Sequence, residues 1–161
     1  MLKVLKPDMQ LDSIYHIDFS NLWRQGYRHI IIDVDNTITR WNNHLPSNKL
    51  KAWFSDIKSI GYSICLLSNN RQVRISKLAA DLGVIASPKG GKPFSRAFKG
   101  ALRALTAIPE KTLLIGDQIF TDVLGGNRAG LFTILVDPLD SKEFIGTRFI
   151  RLLERVVARR R

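Results

Sequence analysis

His29-Ile30-Ile31-Ile32-Asp33-Val34-Asp35-Asn36-Thr37 is the stretch on which the fold turns. It opens as a short apolar run rich in β-branched side chains, which predicts a strand buried on both faces of a parallel sheet. The run breaks at Asp33, and a second carboxylate follows at Asp35. In an open α/β sheet, ligands bind at the carboxyl ends of the strands. Two acids there, with the hydroxyl of Thr37, point to metal-assisted phosphoryl chemistry more than to packing.

Working outward, residues 29–33 form the first strand. Leu50, Trp53, Phe54, Ile57 and Ile60 recur at helical spacing, and Gly61 closes that helix. Residues 62–67 are a second strand ending at Ser68-Asn69-Asn70, residues 72–82 a helix stopped by Gly83, and residues 84–86 a short third strand. Pro93 is placed in the first turn of a helix whose buried face is Phe94, Phe98, Ala101, Leu102 and Leu105. Residues 112–115 are a fourth strand ending at Gly116-Asp117. Asp122 opens a helix closed near Gly130, and residues 132–136 are a fifth strand. Strands alternating with helices predict an α/β domain built on a doubly wound, five-stranded parallel sheet. Residues 1–28 are read as a lead-in packed on that domain, with a short helix opened by Asp18 and ending at Gly26, and residues 141–161 as a basic C-terminal helix. No linker or repeat divides the chain, so 1–161 is read as one domain.

The composition, 45% hydrophobic and 24% charged over 161 residues, is that of a globular chain. No apolar run reaches the roughly 18 residues of a membrane span. The first residues turn polar too soon for a signal peptide. Cys65 is the only cysteine, which excludes an intrachain disulfide and places it in the core as part of a buried strand. Cytoplasmic residence is the default expectation. The net charge of +11 predicts an anionic partner, either nucleic acid or an anionic membrane surface, against the plainer alternative of a basic but inert surface.

Four polar features stand at strand ends or just beyond them: Asp33/Asp35, Ser68-Asn69, Lys92 and Asp117/Asp122. In a parallel sheet they converge on one rim. There Asp33 can serve as a nucleophile that forms an aspartyl-phosphate. Asp35 can protonate the leaving oxygen and later activate water. Asp33 and Asp117 can share Mg²⁺, which takes oxygen ligands and keeps several waters. Asp122 can bind a metal-bound water or orient Lys92. Lys92 offers a point charge to phosphoryl oxygens, and Ser68, Asn69 and N–H groups at a helix start can hold the same oxygens. Thr37 is a supporting hydroxyl. D-x-D-x-T alone arises by chance in roughly one chain in a hundred of this length, so the weight rests on the ordered set.

That set resembles the four motifs of the haloacid dehalogenase (HAD) superfamily in their usual order: Asp33-Val34-Asp35-Asn36-Thr37, Leu67-Ser68-Asn69-Asn70, Lys92-Pro93, and Gly116-Asp117 through Asp122. Within it the chain is similar to subfamily IIIA phosphatases of the YqeG type, through residues 121–128, residues 147–155 and the lead-in. That group is related to mitochondrial phosphatidylglycerophosphate phosphatases. The resemblance implies Asp33 as nucleophile, Asp35 as acid/base with its backbone carbonyl on Mg²⁺, Asp117 as metal ligand, and Ser68 and Lys92 on phosphate. Many HAD enzymes insert a cap domain after the first or the second motif. Roughly thirty residues separate Asp35 from Ser68 and about two dozen separate Ser68 from Lys92, spans filled by the sheet's own helices and turns. The expected fold therefore has no cap and an open site.

Further substrate candidates are Arg71 and Arg74 at a helix start, Lys89 beside Lys92, and Asn127 and Arg128 near a helix end. Trp41 and His44 lie in the loop beyond the first motif, where a turn role competes with contact to the leaving group. The segment 148–157 is amphipathic and basic, and either packs on the sheet or lies on an anionic membrane. The expected activity is Mg²⁺-dependent hydrolysis of a phosphomonoester, with an anionic phospholipid, phosphatidylglycerophosphate, as preferred substrate and a peripheral position on the inner membrane face. A nucleic-acid end phosphatase is the rival enzyme reading. A nucleic-acid- or ribosome-binding factor with a vestigial site is the rival from another class.

Overall fold

The computed structural model describes residues 2–40, 43 and 45–140. The expected C-terminal helix over 141–161 and the loop residues Trp41 and His44 lie outside the described residues. The strands are β1 Met9–Leu11, β2 His29–Ile32, β3 Ser63–Leu66, β4 Ile85–Ala86, β5 Thr112–Gly116 and β6 Phe132–Val136. The helices are α1 Phe19–Arg24, α2 Asn48–Ile60, α3 Gln72–Leu82, α4 Ser95–Leu105 and α5 Leu124–Arg128.

All six strands pair in parallel, in the order β1-β6-β5-β2-β3-β4. The sheet thus has one strand more than the five expected. The additional strand is β1, three residues with a polar centre at Gln10. No apolar run announces it, because pairing with β6 creates it: Met9 aligns with Ile134 and Leu11 with Val136. Just ahead of it, Asp8 accepts a 2.8 Å hydrogen bond from the Thr133 N–H.

The central strand β2 shows why a continuous apolar run is needed. Ile30 and Ile32 belong to one core with Phe54 and Ile57 of α2 and Ile75 and Leu78 of α3. Ile31 belongs to the other, with Phe98 and Ala101 of α4. Helices therefore cover both faces, and each face needs its own apolar set. Cys65 is fully buried in the second core, and burial pushes its thiol up to about 12. The lead-in packs on the first core through edge-to-face rings, Phe19 on Trp53 at 5.6 Å and Trp23 on Tyr62 at 5.1 Å.

Helix starts follow from local capping. Asp18 accepts from the Asn21 N–H at 2.9 Å ahead of α1, and Ser47 accepts from the Leu50 N–H at 3.1 Å ahead of α2. Pro93 departs from expectation. It lies ahead of α4, inside a turn closed by the Phe94 N–H on the Gly91 carbonyl at 2.9 Å, and the helix begins only at Ser95, so Phe94, expected on its buried face, instead stands exposed ahead of it. That turn points Lys92 inward, where it is buried.

The chain runs from β2 outward through β3 to β4, then returns to the other side of β2 with β5. The reversal falls between β2 and β5, and that topological switch point opens a crevice at their carboxyl ends. Among the described residues, α2 fills the connection from β2 to β3, and α3 fills that from β3 to β4, with no inserted domain.

Helix α5 approaches α4 closely because Gly125 lacks a side chain. A Cβ there would meet the Phe98 ring and lie 3.2 Å from Pro93 Cα. Gly125→Ala is expected to cost about 1–3 kcal/mol by overpacking, read as a lower urea midpoint. An unchanged midpoint would refute this close packing.

Candidate active site

Asp33 follows β2 directly and stays in the ladder, its N–H donating to Ile115 of β5 at 2.9 Å. The chain then turns tightly. The Val34 carbonyl accepts from the N–H groups of Thr37 at 3.3 Å and of Ile38 and Thr39 at 3.1 Å. Asn36 sits in the left-handed region at φ 62°, which Asn tolerates better than most residues. The turn returns Thr37 to Asp33. Its Oγ1 lies 2.9 Å from Asp33 Oδ2 and 3.2 Å from Asp117 Oδ1, so a single hydroxyl joins two acids from the ends of β2 and β5.

Lys92 enters from the loop after β4. Its Nζ donates to Asp33 Oδ1 and, at 2.7 Å, to Asp122 Oδ1. Lys92 is 7% exposed, Asp33 6% and Asp122 1%. Asp122 stands in a wide helical turn, Ile119–Val123, and its other oxygen accepts from the Gln118 N–H at 3.2 Å. Gly116 leaves room for it, since a Cβ at that position would strike the Asp122 carboxylate.

Asp35 faces a different set. It accepts from Ser68 Oγ at 3.1 Å, Asn70 Nδ2 at 3.3 Å and Arg74 Nη1 at 2.7 Å. Of the two arginines named from the sequence, Arg74 thus reaches the site by pairing with Asp35. Arg71 is exposed at the start of α3, and Lys89 is exposed in the loop before Lys92. The Asn69 side chain is turned onto the loop that carries Lys92. Its oxygen accepts from the N–H groups of Gly91 at 2.7 Å and Lys92 at 2.8 Å, and its amide donates to the Lys92 carbonyl at 3.1 Å.

Asn127 and Arg128 do not join the site. They end α5, at the opposite edge of the sheet, where β6 begins. The Asn127 amide donates to the carbonyls of Val4 at 2.8 Å and Lys6 at 2.9 Å, which ties down the lead-in. Helix α5 runs antiparallel to the strands, so its last turn is carried away from the rim. Sequence reading also missed the Asn69 clamp on Lys92 and the Arg74–Asp35 pair, because no spacing along the chain signals either contact.

The electrostatics follow from crowding. Burial, added to the charge of Asp122, raises Asp33 to about 6 even though Lys92 pulls it down. Burial and the neighbouring Asp33 and Asp122 raise Asp117 to about 8. Burial would lower Lys92, but Asp122 and Asp33 more than offset it and raise it. Ligand oxygens of Asp33, Asp117 and Asp122 lie within 4.8 Å of one another. Three carboxylates face one ammonium, so a hard cation would relieve the excess charge. Both oxygens of Asp122 accept hydrogen bonds, from Lys92 and Gln118, as do both of Asp33, from Lys92 and Thr37. Asp117 accepts from Thr37 through Oδ1, so Asp117 is the side chain most open to such an ion, with Asp33 and Asp122 beside it. An all-oxygen set of this kind suits Mg²⁺.

The chain is 38% identical to a Bacillus subtilis protein named "probable phosphatase YqeG" over 153 residues, which cover 95% of this chain and 89% of that one. It belongs to the HAD phosphatases. The HAD-hydrolase-like family model matches residues 90–138, the span that carries Lys92, Asp117 and Asp122. This HAD phosphatase is also 28% identical to the chloroplastic/mitochondrial phosphatidylglycerophosphate phosphatase 1 of Arabidopsis thaliana, across 96% of its own length and 47% of the plant protein. In fold it matches the cobalt-bound deoxy-D-mannose-octulosonate 8-phosphate phosphatase of Haemophilus influenzae, with a TM-score of 0.54 and 18% identity over 70% of this chain and 69% of that one.

A pH dependence follows for the metal-free HAD phosphatase. Asp33 and Asp117 have folded-state values above the unfolded carboxyl range, so the folded state binds more protons than the unfolded chain between those values. The stability this contributes is present at acid pH and is lost as pH rises through about 6 and then about 8. In chelator, the thermal midpoint of the wild type should therefore fall more steeply between pH 6 and 9 than that of Asp117→Asn. Parallel curves would show that Asp117 titrates normally.

Proposed function

We propose that this HAD phosphatase is a Mg²⁺-dependent phosphomonoesterase that acts through an aspartyl-phosphate on Asp33, with phosphatidylglycerophosphate at a membrane face as its substrate. The observation that carries the mechanism is the division of the two motif acids. Asp33 is bound by Lys92 and Thr37 beside Asp117, whereas Asp35 is held separately by Ser68, Asn70 and Arg74. One carboxylate is thereby set to attack and the other to handle protons.

In the first half, an Asp33 oxygen attacks phosphorus while the bond to the leaving oxygen breaks, and Asp35 gives that oxygen its proton. In the second half, Asp35 takes a proton from water, which attacks the aspartyl-phosphate and releases phosphate and free Asp33. Lys92 and Ser68 hold the non-bridging oxygens throughout. Asn69 and Asp122 are positioning residues, one fixing the Lys92 backbone and the other its ammonium. Mg²⁺ bound by Asp33, Asp117 and the Asp35 backbone carbonyl would supply positive charge to the transferring phosphoryl group.

The lipid substrate rests on the similarity to the plant phosphatidylglycerophosphate phosphatase, the net charge of +11 and a site that carries no inserted cap among the described residues. No helix among the described residues is long and apolar enough to cross a membrane, so the proposed association is peripheral.

Asp33→Asn should lose turnover by at least about three orders of magnitude, as expected when a nucleophile is removed, together with the acid-stable phosphoenzyme. Appreciable Mg²⁺-dependent turnover by that variant would rule out Asp33 as nucleophile. Turnover of phosphatidylglycerophosphate in vesicles should exceed that of soluble sugar phosphates and of a 3′-phosphorylated oligonucleotide. Equal or better turnover of either soluble class would remove the lipid substrate.

Mg²⁺ should also raise the thermal midpoint at pH 8, since a ligand that binds only the folded state stabilises it. Asp117→Asn should lose most of that rise. A rise preserved in the variant would place the ion elsewhere.

A further inference from the structure

Eight large apolar side chains stand exposed among the described residues, and six of them sit on one edge of the sheet. Leu45 lies in the loop after β2, Val73 at the start of α3 after β3, Phe94 in the loop after β4, Ile119 and Phe120 after β5, and Leu139 after β6. In a parallel sheet these all belong to the carboxyl edge, the one that carries the candidate active site. Single exposed apolar residues are ordinary; six gathered around one charged crevice are not.

Their spacing along the chain is equally particular. Val73 is 84% exposed, while the adjacent Arg74 reaches inward to Asp35. Phe94 is 74% exposed, while Lys92, two residues earlier, is buried on Asp33 and Asp122. Ile119 and Phe120 directly follow the Asp117-Gln118 pair. Leu139 donates its N–H to the Asn36 carbonyl at 2.8 Å, beside Asp35. Loop after loop thus turns a chemistry-bearing side chain inward and, within a few residues of it, an apolar one outward. Basic residues share this edge: Arg40, Arg71 and Lys89 are exposed on the segments that follow β2, β3 and β4, and Arg96 is exposed in the first turn of α4. The exposed acids of this edge, Asp12, Asp137 and Asp140, are confined to the β1–β6 side.

The geometry points to the carboxyl rim as a docking face for an anionic lipid bilayer, with Val73, Phe94 and their neighbours inserted among the headgroups and the basic side chains on lipid phosphates. Apolar side chains that share an edge with cations suit a fluid, anionic surface, which can accept each one singly. A protein partner would call for a fully buried, charge-depleted centre, and on this rim the centre is the charged site itself. The inference rests on the proposed lipid-borne substrate and gives it an entry route: a phosphomonoester standing out of the bilayer meets Asp33 without leaving the surface.

Substrate-free vesicles of phosphatidylglycerol and phosphatidylcholine separate docking from turnover. The full-length wild type should co-sediment with them. The double variant Val73→Ser/Phe94→Ser should bind at least about tenfold more weakly, from the apolar area it no longer buries. It should also retain the thermal midpoint and the turnover of a soluble phosphate ester. Ile108→Ser, exposed away from this edge ahead of β5, should bind like the wild type. A polarity-sensitive fluorophore on Phe94→Cys should shift to shorter wavelength on vesicles. A wild type that does not bind, a double variant that binds as tightly as the wild type, or a fluorophore that does not respond would each overturn the docking face while leaving the substrate proposal open to its own assay. Weakened binding by the double variant, with no turnover of phosphatidylglycerophosphate by the wild type, would uphold the docking face and remove the lipid substrate.

Discussion

The buried ammonium of Lys92 between Asp33 and Asp122 is the contact on which the site depends. A carboxylate at the end of β2 and another in the helical turn after β5 would repel each other if both were ionised in a buried crevice. One shared cation holds them together, and it arrives from a third part of the sheet, the loop after β4. Breaking such a pair on one side leaves an uncompensated buried charge, which typically costs about 3–5 kcal/mol. The surrounding structure therefore serves to keep Lys92 in place. Asn69 grips its backbone from both sides of the peptide, the Gly91–Phe94 turn aims it inward, and Gly116 clears the space that Asp122 occupies.

The parallel sheet makes this meeting possible. Because β5 returns to the opposite side of β2 from β3, Asp33 has Asp117 on one flank and Ser68 on the other. The two flanks carry different chemistry. On the β5 side, carboxylates crowd, and their affinity for protons rises. On the β3 side, a hydroxyl, an amide and a guanidinium converge on Asp35. Two acids only two residues apart in sequence thus live in unlike surroundings, the condition for giving a pair of carboxylates separate roles. The tight turn through Asn36 makes the separation, because it faces Thr37 to one flank while Asp35 faces the other.

The same edge joins inner polarity to outer apolarity. Short loops leave little chain between an inward and an outward side chain, so Phe94 and Val73, beside Lys92 and Arg74, are left exposed. They are exposed because the loops that bear them are occupied with the site. Among the described residues no inserted domain covers this edge, so those side chains stay exposed on it.

Local pattern was enough to place five strands, three of the long helices and the four motif regions, because a strand buried on two faces must be apolar throughout and a helix packed on a sheet must repeat its apolar residues near every 3.6 positions. The direction of the strands then required the motif acids, Ser68 and Lys92 to share one rim. What the sequence could not convey was anything that depends on a partner distant along the chain. Met9–Leu11 becomes a strand only because β6 offers it a ladder. Asn69 serves Lys92, Arg74 serves Asp35, and Asn127 serves the lead-in at the far edge, although all three are polar residues that looked alike as substrate contacts. Sequence determines the period of burial and the chemical type of each side chain. Only the packed structure decides which of two polar groups fills the other's hydrogen bond, since that depends on distances set by the whole sheet.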